Sequence, residues 1–242
     1  MIPLRDENPT HSTPVVTILL ILANVLAFFY QLSFGLERSA FGFGLIPAEL
    51  LHHADYVFTG TRLGLPEGYG IRNLEPAWLT VLTSMFLHGN WLHILGNMWY
   101  LWIFGNNVED SMGKGKFLFF YLLAGVGAAA AQLLLTPNSE VPMVGASGAI
   151  AGVLGAYLVI FPGSRVLCLT TTFLITTLEL PAYVVLGFWF VIQVISGLGA
   201  LGLHQAGGVA FGAHVGGFVL GWLLVRLFHV HRPPGPRYRL RE

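Results

Sequence analysis

The stretch Val144-Gly-Ala-Ser-Gly-Ala-Ile-Ala-Gly152 is a run of small residues around one hydroxyl group, that of Ser147. It opens an apolar segment that continues to Phe161. Small residues let helices pack closely in a membrane, and serine is a favoured residue at the start of a helix. Taken alone, the stretch is explained by packing and capping. A chemical role for Ser147 requires a base and an oxyanion site close by.

The composition predicts a membrane protein. Of the 242 residues, 55% are hydrophobic and only 10% are charged, whereas soluble domains carry about 25% charged residues. So few charges cannot cover a water-soluble globule. The formal net charge is zero, and no basic face for a nucleic-acid partner is present. Cys168 is the single cysteine, so no intramolecular disulfide is expected, and no zinc-type Cys/His spacing occurs.

Apolar segments predict the fold class: an all-α, polytopic membrane protein with six transmembrane helices in one bundle. The six predicted spans are residues 15–34, 91–108, 117–136, 147–161, 182–203 and 208–228. The last span has a glycine at almost every fourth position, which predicts close packing against a neighbouring helix. Residues 166–178 are apolar but too short to cross, and we expect a re-entrant or interfacial connection there.

The spans divide the chain into three parts. A membrane domain, residues 15–229, is flanked by an N-terminal tail, residues 1–14, and a basic tail, residues 230–242. Within the domain, residues 35–90 form a long first loop, and loops of that length are usually functional or disordered. Residues 78–87 are expected to form a short helix at the membrane interface, where tryptophan is favoured.

Lysine and arginine predict the orientation. Nine of the twelve fall on the side that holds both termini, and three fall in the long loop. The positive-inside rule then places both termini in the cytoplasm and the long loop outside. The first residues lack the features of a removable signal peptide. With no presequence and no added seventh helix, the expected location is a bacterial plasma membrane, in contact with its lipids.

Four polar side chains come to a similar depth in the outer half of this bundle. Ser147 begins the fourth span, and His214 lies six residues into the sixth, ~9 Å down. His93 and Asn97 stand one turn apart on one face of the second span. A single buried histidine is explained equally well by a hydrogen bond between two helices. Four polar groups at one depth in hydrocarbon instead indicate a functional site. Two further histidines fall in outer loops and are expected to be solvated: His88 and His204.

These residue types support acyl transfer. A serine hydroxyl is a weak nucleophile until an imidazole takes its proton, and His93 and His214 are the candidate bases within the spans. The free N–H groups where the Ser147 helix begins, together with Asn97 and the other histidine, could hold an oxyanion.

No carboxylate is evident as a third member that would orient the base. The sequence therefore favours a Ser–His dyad, although a carboxylate from a loop remains an alternative third member. Three carboxylates are predicted at the cytoplasmic side and two in outer loops: Asp6, Asp110 and Glu179, then Asp55 and Glu140.

Three segments together resemble the rhomboid family of intramembrane serine proteases. They are GASG at 145–148, HGNWLHILGN at 88–97 and AHVGG at 213–217. The resemblance covers all six spans, roughly residues 15–228, and includes the long first loop. The first motif alone would be weak, whereas the three together are specific.

The resemblance implies that Ser147 is the nucleophile and His214 the general base. It also implies that His93, Asn97 and the backbone N–H of Ser147 hold the oxyanion. Substrates would be single-pass membrane proteins cut near the outer end of their transmembrane helix, without a metal or cofactor. The fifth span and the loop at 204–207 are expected to form a lateral gate.

Two positions depart from the family pattern. Many members carry arginine after the tryptophan that opens the first-loop helix, whereas this chain has Trp78-Leu79. Some members carry an aromatic residue four positions after the serine, stacked on the base, where this chain has Ala151. The first departure concerns the anchoring of the loop, and the second concerns how firmly His214 is held.

Two non-enzymatic classes compete with a protease. A proton-coupled transporter is disfavoured because the spans hold no carboxylate and show no internal repeat. A rhomboid-like membrane protein that binds transmembrane segments without cutting them remains open. Covalent labelling of Ser147 by a serine-directed probe discriminates the enzyme from the binding protein.

Overall fold

Helices dominate the architecture of the chain. The structure is a computed structural model that describes residues 1–52, 58–59, 70–71, 74–170, 176–202, 210–228 and 230, and the side chains of all of these except 58, 59, 70, 71 and 200–202. The predicted fold class, a mainly α-helical membrane protein, is confirmed.

Within the described residues, each predicted span is a helical rod. Five rods are single helices: α1 (Val15–Phe34), α7 (Lys114–Leu135), α8 (Ser147–Ile160), α9 (Ala182–Gly202) and α10 (Phe211–Leu224), the last of which ends in a 3-10 turn (Val225–Leu227). The second rod is continuous but has three parts: α5 (Trp91–Tyr100), a π-turn (Leu101–Gly105) and α6 (Asn106–Met112). By length and composition, three helices in the described part of the chain are able to cross a membrane: Val15–Phe34, Lys114–Leu135 and Ala182–Gly199.

The second rod is longer than predicted. The sequence placed its end at Gly105-Asn106-Asn107 and a loop at residues 109–116, but the rod continues to Met112 and turns at Gly113, which has φ 79°. The predicted loop is therefore wrong. The helix continues because Gly105 packs closely on Leu101 and Thr17 instead of exposing backbone.

The short helix α8 lies at the centre of the bundle. Its 14 residues rise ~21 Å, less than the ~30 Å of a bilayer core. Most of its side chains are buried by neighbouring helices, and α10 makes its most extensive contact. Gly148, Ala149 and Ile150 of its first turn are buried, so neighbouring elements cover that turn.

Glycine makes the contact between α8 and α10 possible. A Cβ atom at Gly217 would overlap the carbonyl oxygen of Gly148, and one at Gly221 would overlap that of Gly152. The two backbones therefore touch, as the small-residue pattern predicts. This contact sets the distance between the first turns of both helices.

A small antiparallel sheet covers one end of the bundle, called here the sheet end. Its strand order is β1–β4–β5, where β1 is Ile2–Asp6, β4 is Arg165–Thr170 and β5 is Thr176–Pro181. The described parts of the segment 166–178, residues 166–170 and 176–178, lie in these paired strands, so the re-entrant alternative is wrong, and the interfacial alternative stays a prediction. The β-branched residues of this segment suit a pleated surface, and the burial of Val166 and Cys168 follows the period of two.

In the parts of the long first loop that the structure describes, there are three short helices and one short strand pair. These are α2 (Leu36–Phe43), α3 (Pro47–His52), β2 (Phe58–Thr59), β3 (Gly70–Ile71) and α4 (Ala77–Phe86). The predicted short helix at 78–87 is present as α4. A backbone bridge between Leu45 and Met143 and a hydrogen bond from Thr83 Oγ1 to Phe43 O anchor the loop, although Trp78 is 58% exposed.

A buried polar cluster fixes the N-terminal strand to the sheet end. The Asp6 carboxylate accepts hydrogen bonds from Asn107 Nδ2, Tyr157 OH (2.7 Å) and Asn8 Nδ2 (3.2 Å). Burial raises the pKa of Asp6 from 3.8 to about 6, and the hydrogen bonds from Tyr157 and Asn8 oppose that rise. Residues 1–14, which the sequence indicated only as a tail, are thus packed onto α6 and α8.

Asp6 should make stability depend on pH. Because its pKa is higher in the folded chain than in the unfolded one, its stabilising contribution is complete below about pH 4 and is lost as the pH rises through about 6. We expect Asp6→Asn to remove this loss, on the order of 3 kcal/mol, so the fall in thermal midpoint between about pH 5 and 7.5 becomes smaller than in the wild type. Glu179→Gln, an exposed carboxylate of the same sheet, is the control. Identical profiles for Asp6→Asn and wild type would contradict the assignment.

Candidate active site

The hydroxyl of Ser147 is hydrogen-bonded to an imidazole. Ser147 Oγ lies 2.7 Å from His214 Nε2. Ser147 is the first residue of α8 and His214 lies in the first turn of α10, so the close backbone contact of these helices brings the two side chains together. A hydroxyl whose proton faces an unprotonated imidazole nitrogen is prepared for proton transfer.

Ser147 does not act as a helix cap. Ala146 occupies the capping position of α8, and no side chain caps it. The backbone N–H of Ser147 stands in the first turn, where no carbonyl of the helix can accept from it. Before it, Gly145 has φ +133°, and a Cβ there would lie 2.8 Å from His93 Nε2. Glycine at 145 is thus required both by backbone conformation and by the approach of His93.

His93 presents a donor to the same space. Asn90 caps α5 by accepting from the His93 N–H (2.9 Å), and the Gly89 N–H approaches His93 Nδ1 at 3.4 Å. Because Nδ1 accepts, the ring proton resides on Nε2, which faces Gly145 and the serine.

Asn97 supplies a second donor. Its side chain is 8% exposed, and its Nδ2 has no hydrogen-bond partner among the described residues. An unpaired buried donor is costly, so an acceptor is expected beside it in the working state. His93 and Asn97 line one cavity with Ser147 and His214.

The other side of the His214 ring is held by α9. Its Nδ1 lies 2.8 Å from Gln193 Oε1. The Trp189 ring, one turn earlier on α9, is centred 6.0 Å from the imidazole at an interplanar angle of 36°. The Phe211 ring makes an edge contact at 6.3 Å. Ring contacts for His214 thus come from α9 and α10, whereas position 151 holds a buried alanine.

Sequence reasoning missed Gln193 and Trp189. The available signal was an amide in an apolar span with an aromatic residue four positions before it, which places both on one helix face. Carboxylates were sought as the partner of the base, and an amide oxygen accepts from an imidazole N–H equally well in geometry.

A cavity of about 440 Å³ extends from the Ser–His pair into the bundle. Polar groups occupy one part of its wall: Ser84, Asn90, His93, Asn97, Ser147, Gln193 and His214. Another part is made of small residues, among them Gly125, Ala128 and Ala129. The cavity is therefore able to hold water or a peptide carbonyl beside the serine.

His88 is not solvated, contrary to the sequence-based expectation. It is fully buried, and its peptide is paired with the Gln31 amide of α1: the His88 N–H donates to Oε1 (2.8 Å), and Nε2 donates to the His88 carbonyl (3.3 Å). Its ring meets His93 edge-on at 5.1 Å. Burial, aided by His93, lowers the pKa of His88 to about 3, so the ring is neutral. His204 lies outside the described residues, as does the proposed gate loop at 204–207.

None of the described carboxylates that were considered for a triad, Asp6, Asp110, Glu140 and Glu179, lines the cavity of Ser147 and His214. Asp6 and Asp110 are engaged at the sheet end, where Asp110 accepts from the backbone of His11 and Ser12, and Glu179 lies on β5 near Arg165. Asp55 lies outside the described residues. Among the residues that the structure describes, no three His, Cys, Asp or Glu side chains are grouped to hold a metal ion.

Comparison with known proteins relates this geometry to a family. A family model described as Rhomboid domain matches residues 75–231, which contain all four predicted site residues. The chain is 36% identical over 125 residues to the rhomboid protease GluP of Bacillus subtilis, covering 52% of this chain and 24% of that protein.

Other relatives carry similar names. The putative rhomboid protease YdcA of Bacillus subtilis is 31% identical over 145 residues, 60% of this chain and 61% of YdcA. The Rhomboid-like protein 11, chloroplastic, of Arabidopsis thaliana is 43% identical over 77 residues, 32% of this chain and 27% of that protein. The matches thus span between about a quarter and three fifths of the length of these relatives.

Proposed function

This integral membrane protein belongs to the rhomboid family, and from that premise we propose that it is an intramembrane serine protease with Ser147 as nucleophile and His214 as general base. The observation that carries the proposal is the 2.7 Å hydrogen bond between Ser147 Oγ and His214 Nε2. The same cavity contains the amide donor of Asn97, which has no partner among the residues that the structure describes. The protease names of GluP and YdcA agree with it.

The proposed reaction proceeds through an acyl-enzyme. Ser147 Oγ attacks the scissile carbonyl carbon while its proton passes to His214 Nε2. His214 then gives that proton to the leaving amine, and the C–N bond breaks. Water from the cavity next attacks the ester, its proton passing to His214 and then to Ser147 Oγ, which releases the carboxylic acid. No metal or cofactor takes part in the proposed sequence.

Three donors are proposed to stabilise the oxyanion: the Ser147 N–H, Asn97 Nδ2 and His93 Nε2–H. Asn97 Nδ2 has no acceptor among the described residues, which suits a negative charge that appears only during reaction. The amide donor and the backbone donor are uncharged, so they favour the oxyanion without attracting a permanent counter-ion.

Asn97→Ala should lower kcat by about 10²-fold, because one oxyanion donor is typically worth that factor, with little change in KM. His93→Ala should have a similar effect. Initial rates with a cleavable membrane substrate measure both. Asn106→Ala, which removes an amide on the same rod away from the cavity, is the matched control. A full rate in Asn97→Ala would contradict the oxyanion role.

The substrates are proposed to be single-pass membrane proteins, cut near the outer end of their transmembrane helix. Three helix starts meet at the cavity, those of α5, α8 and α10, at the end of the bundle opposite the sheet. The charge distribution favours a cytoplasmic sheet end with both termini, and a bacterial plasma membrane is the proposed location. Contact with membrane lipids follows from the exposed apolar helix faces.

The second candidate is a rhomboid-like protein that binds transmembrane segments without cleaving them. Covalent labelling with a fluorophosphonate separates the two functions, since only an activated serine reacts readily. We expect the purified wild type to be labelled and Ser147→Ala to remain unlabelled. Absence of labelling in a folded wild type, together with no cleavage of reconstituted membrane substrates, would favour the binding function.

A further inference from the structure

Helix α9 supplies two contacts to the catalytic pair although it contributes no reacting group. Gln193 Oε1 lies 2.8 Å from His214 Nδ1, and the Trp189 ring lies beside the imidazole. Positions 189 and 193 are one turn apart and therefore share a face of α9. Both side chains line the cavity.

The amide oxygen of Gln193 selects a tautomer of the base. An oxygen can only accept, so His214 Nδ1 must carry the ring proton. His214 Nε2 is then unprotonated and is free to accept from Ser147 Oγ–H at 2.7 Å. Without that acceptor, the neutral ring could place its proton on Nε2, and in that tautomer it cannot take the proton of the serine.

The two halves of α9 are held unequally. At the sheet end, β5 leads directly into the helix, Ala182 N–H donates to Ser164 O (2.8 Å), and Val185 and Leu186 are buried. Between residues 187 and 199, no described side chain is fully buried. The Gln193–His214 hydrogen bond, together with the contact between the Phe190 and Phe218 rings (4.7 Å), therefore joins the less buried half of α9 to α10.

Resting on the proposed function, we infer that Gln193 is a positioning residue for the base and that the catalytic pair is competent only while the outer half of α9 lies against α10. Trp189 supports the same ring orientation by packing beside it. In a Ser-His-Asp triad a carboxylate orients the imidazole. Here the neutral amide of Gln193, on the less buried half of α9, has that role.

Substitutions at position 193 test this inference in the full chain. Gln193→Met keeps the side-chain length and removes the acceptor. It should lower kcat roughly ten- to a hundredfold without raising KM, and slow fluorophosphonate labelling by a similar factor. Gln193→Glu keeps an acceptor and should recover most of the rate. Its acid limb should move to higher pH, because a carboxylate favours the protonated imidazole. Ile192→Met, an outward-facing neighbour, is the matched control.

The outcomes separate positioning from structure. A purely structural Gln193 would make Met and Glu variants lose rate together with thermal midpoint, with an unmoved pH profile, and that result overturns the inference. An unchanged kcat in Gln193→Met overturns it as well. A folded wild type that is neither labelled nor active would instead overturn the proposed function, which the comparison with Ser147→Ala reveals.

Discussion

Ser147→Ala, His214→Ala and the double variant are expected to lose hydrolysis to the same extent, about 10⁵-fold or more. The two side chains share one proton across 2.7 Å, so each is ineffective without the other, and effects of residues that act as a unit do not add. The residual rate would come from the oxyanion donors and from substrate binding. Additive losses in the double variant would show that the groups act independently.

Single-turnover cleavage of a reconstituted membrane substrate measures these rates, and thermal midpoints in detergent show that each variant is folded. Ser33→Ala and His52→Ala are suitable controls. Ser33 bonds only within its own helix, and His52 bonds to Asn138 at an exposed position. A fully active Ser147→Ala would exclude the acyl-enzyme route.

The length and apolar composition of the segments were sufficient to predict the six rods, because lipid imposes both on each span. Their ends were predicted less well. Gly105 and Asn107 predict the end of a helix. In the structure, however, Gly105 packs against Thr17, and Asn107 donates a hydrogen bond to Asp6, which is 101 positions away in the sequence. The sheet was missed because its strands come from both the chain start and residues 165–181, and such pairing is not encoded locally.

The candidate site divides in the same manner. Ser147, His93, Asn97 and His214 line one cavity, and the sequence indicates them as a group because each is a polar residue at a depth that can be calculated within an apolar span. Gln193 could be interpreted only once the rotation of α9 about its axis was known. His88 looked solvated because its burial depends on Gln31 of α1, which pairs with its peptide. The depth of a residue in the membrane can thus be predicted from its own span, whereas the direction of its side chain depends on how the neighbouring helices pack.

The second large expected effect concerns the glycines between α8 and α10. Gly217→Ala and Gly221→Ala should each destabilise the fold by about 2–3 kcal/mol, in the range for overpacked sites. The added methyl meets a carbonyl oxygen, of Gly148 or of Gly152. Backbone cannot rotate away as a side chain can, so the helices must separate. Gly187→Ala on α9 is the control, because nothing lies within 4 Å of its Cβ position.

In these variants the cleavage rate should fall by more than the loss of folded protein accounts for. Ser147 and His214 are carried by the two helices that the methyl group forces apart, and a misplacement of about 1 Å costs on the order of 10²-fold in rate. Both glycines lie on the helix that carries the base, but Gly217 is nearer to His214 in the sequence than Gly221 is. We therefore expect Gly217→Ala to lower the rate more than Gly221→Ala. Cleavage rates compared at matched folded fractions, with midpoints from thermal unfolding, measure this difference. Wild-type rates in both variants would show that the Ser147–His214 distance does not depend on the helix contact, and the site would then have to be held by α9 and the loops alone.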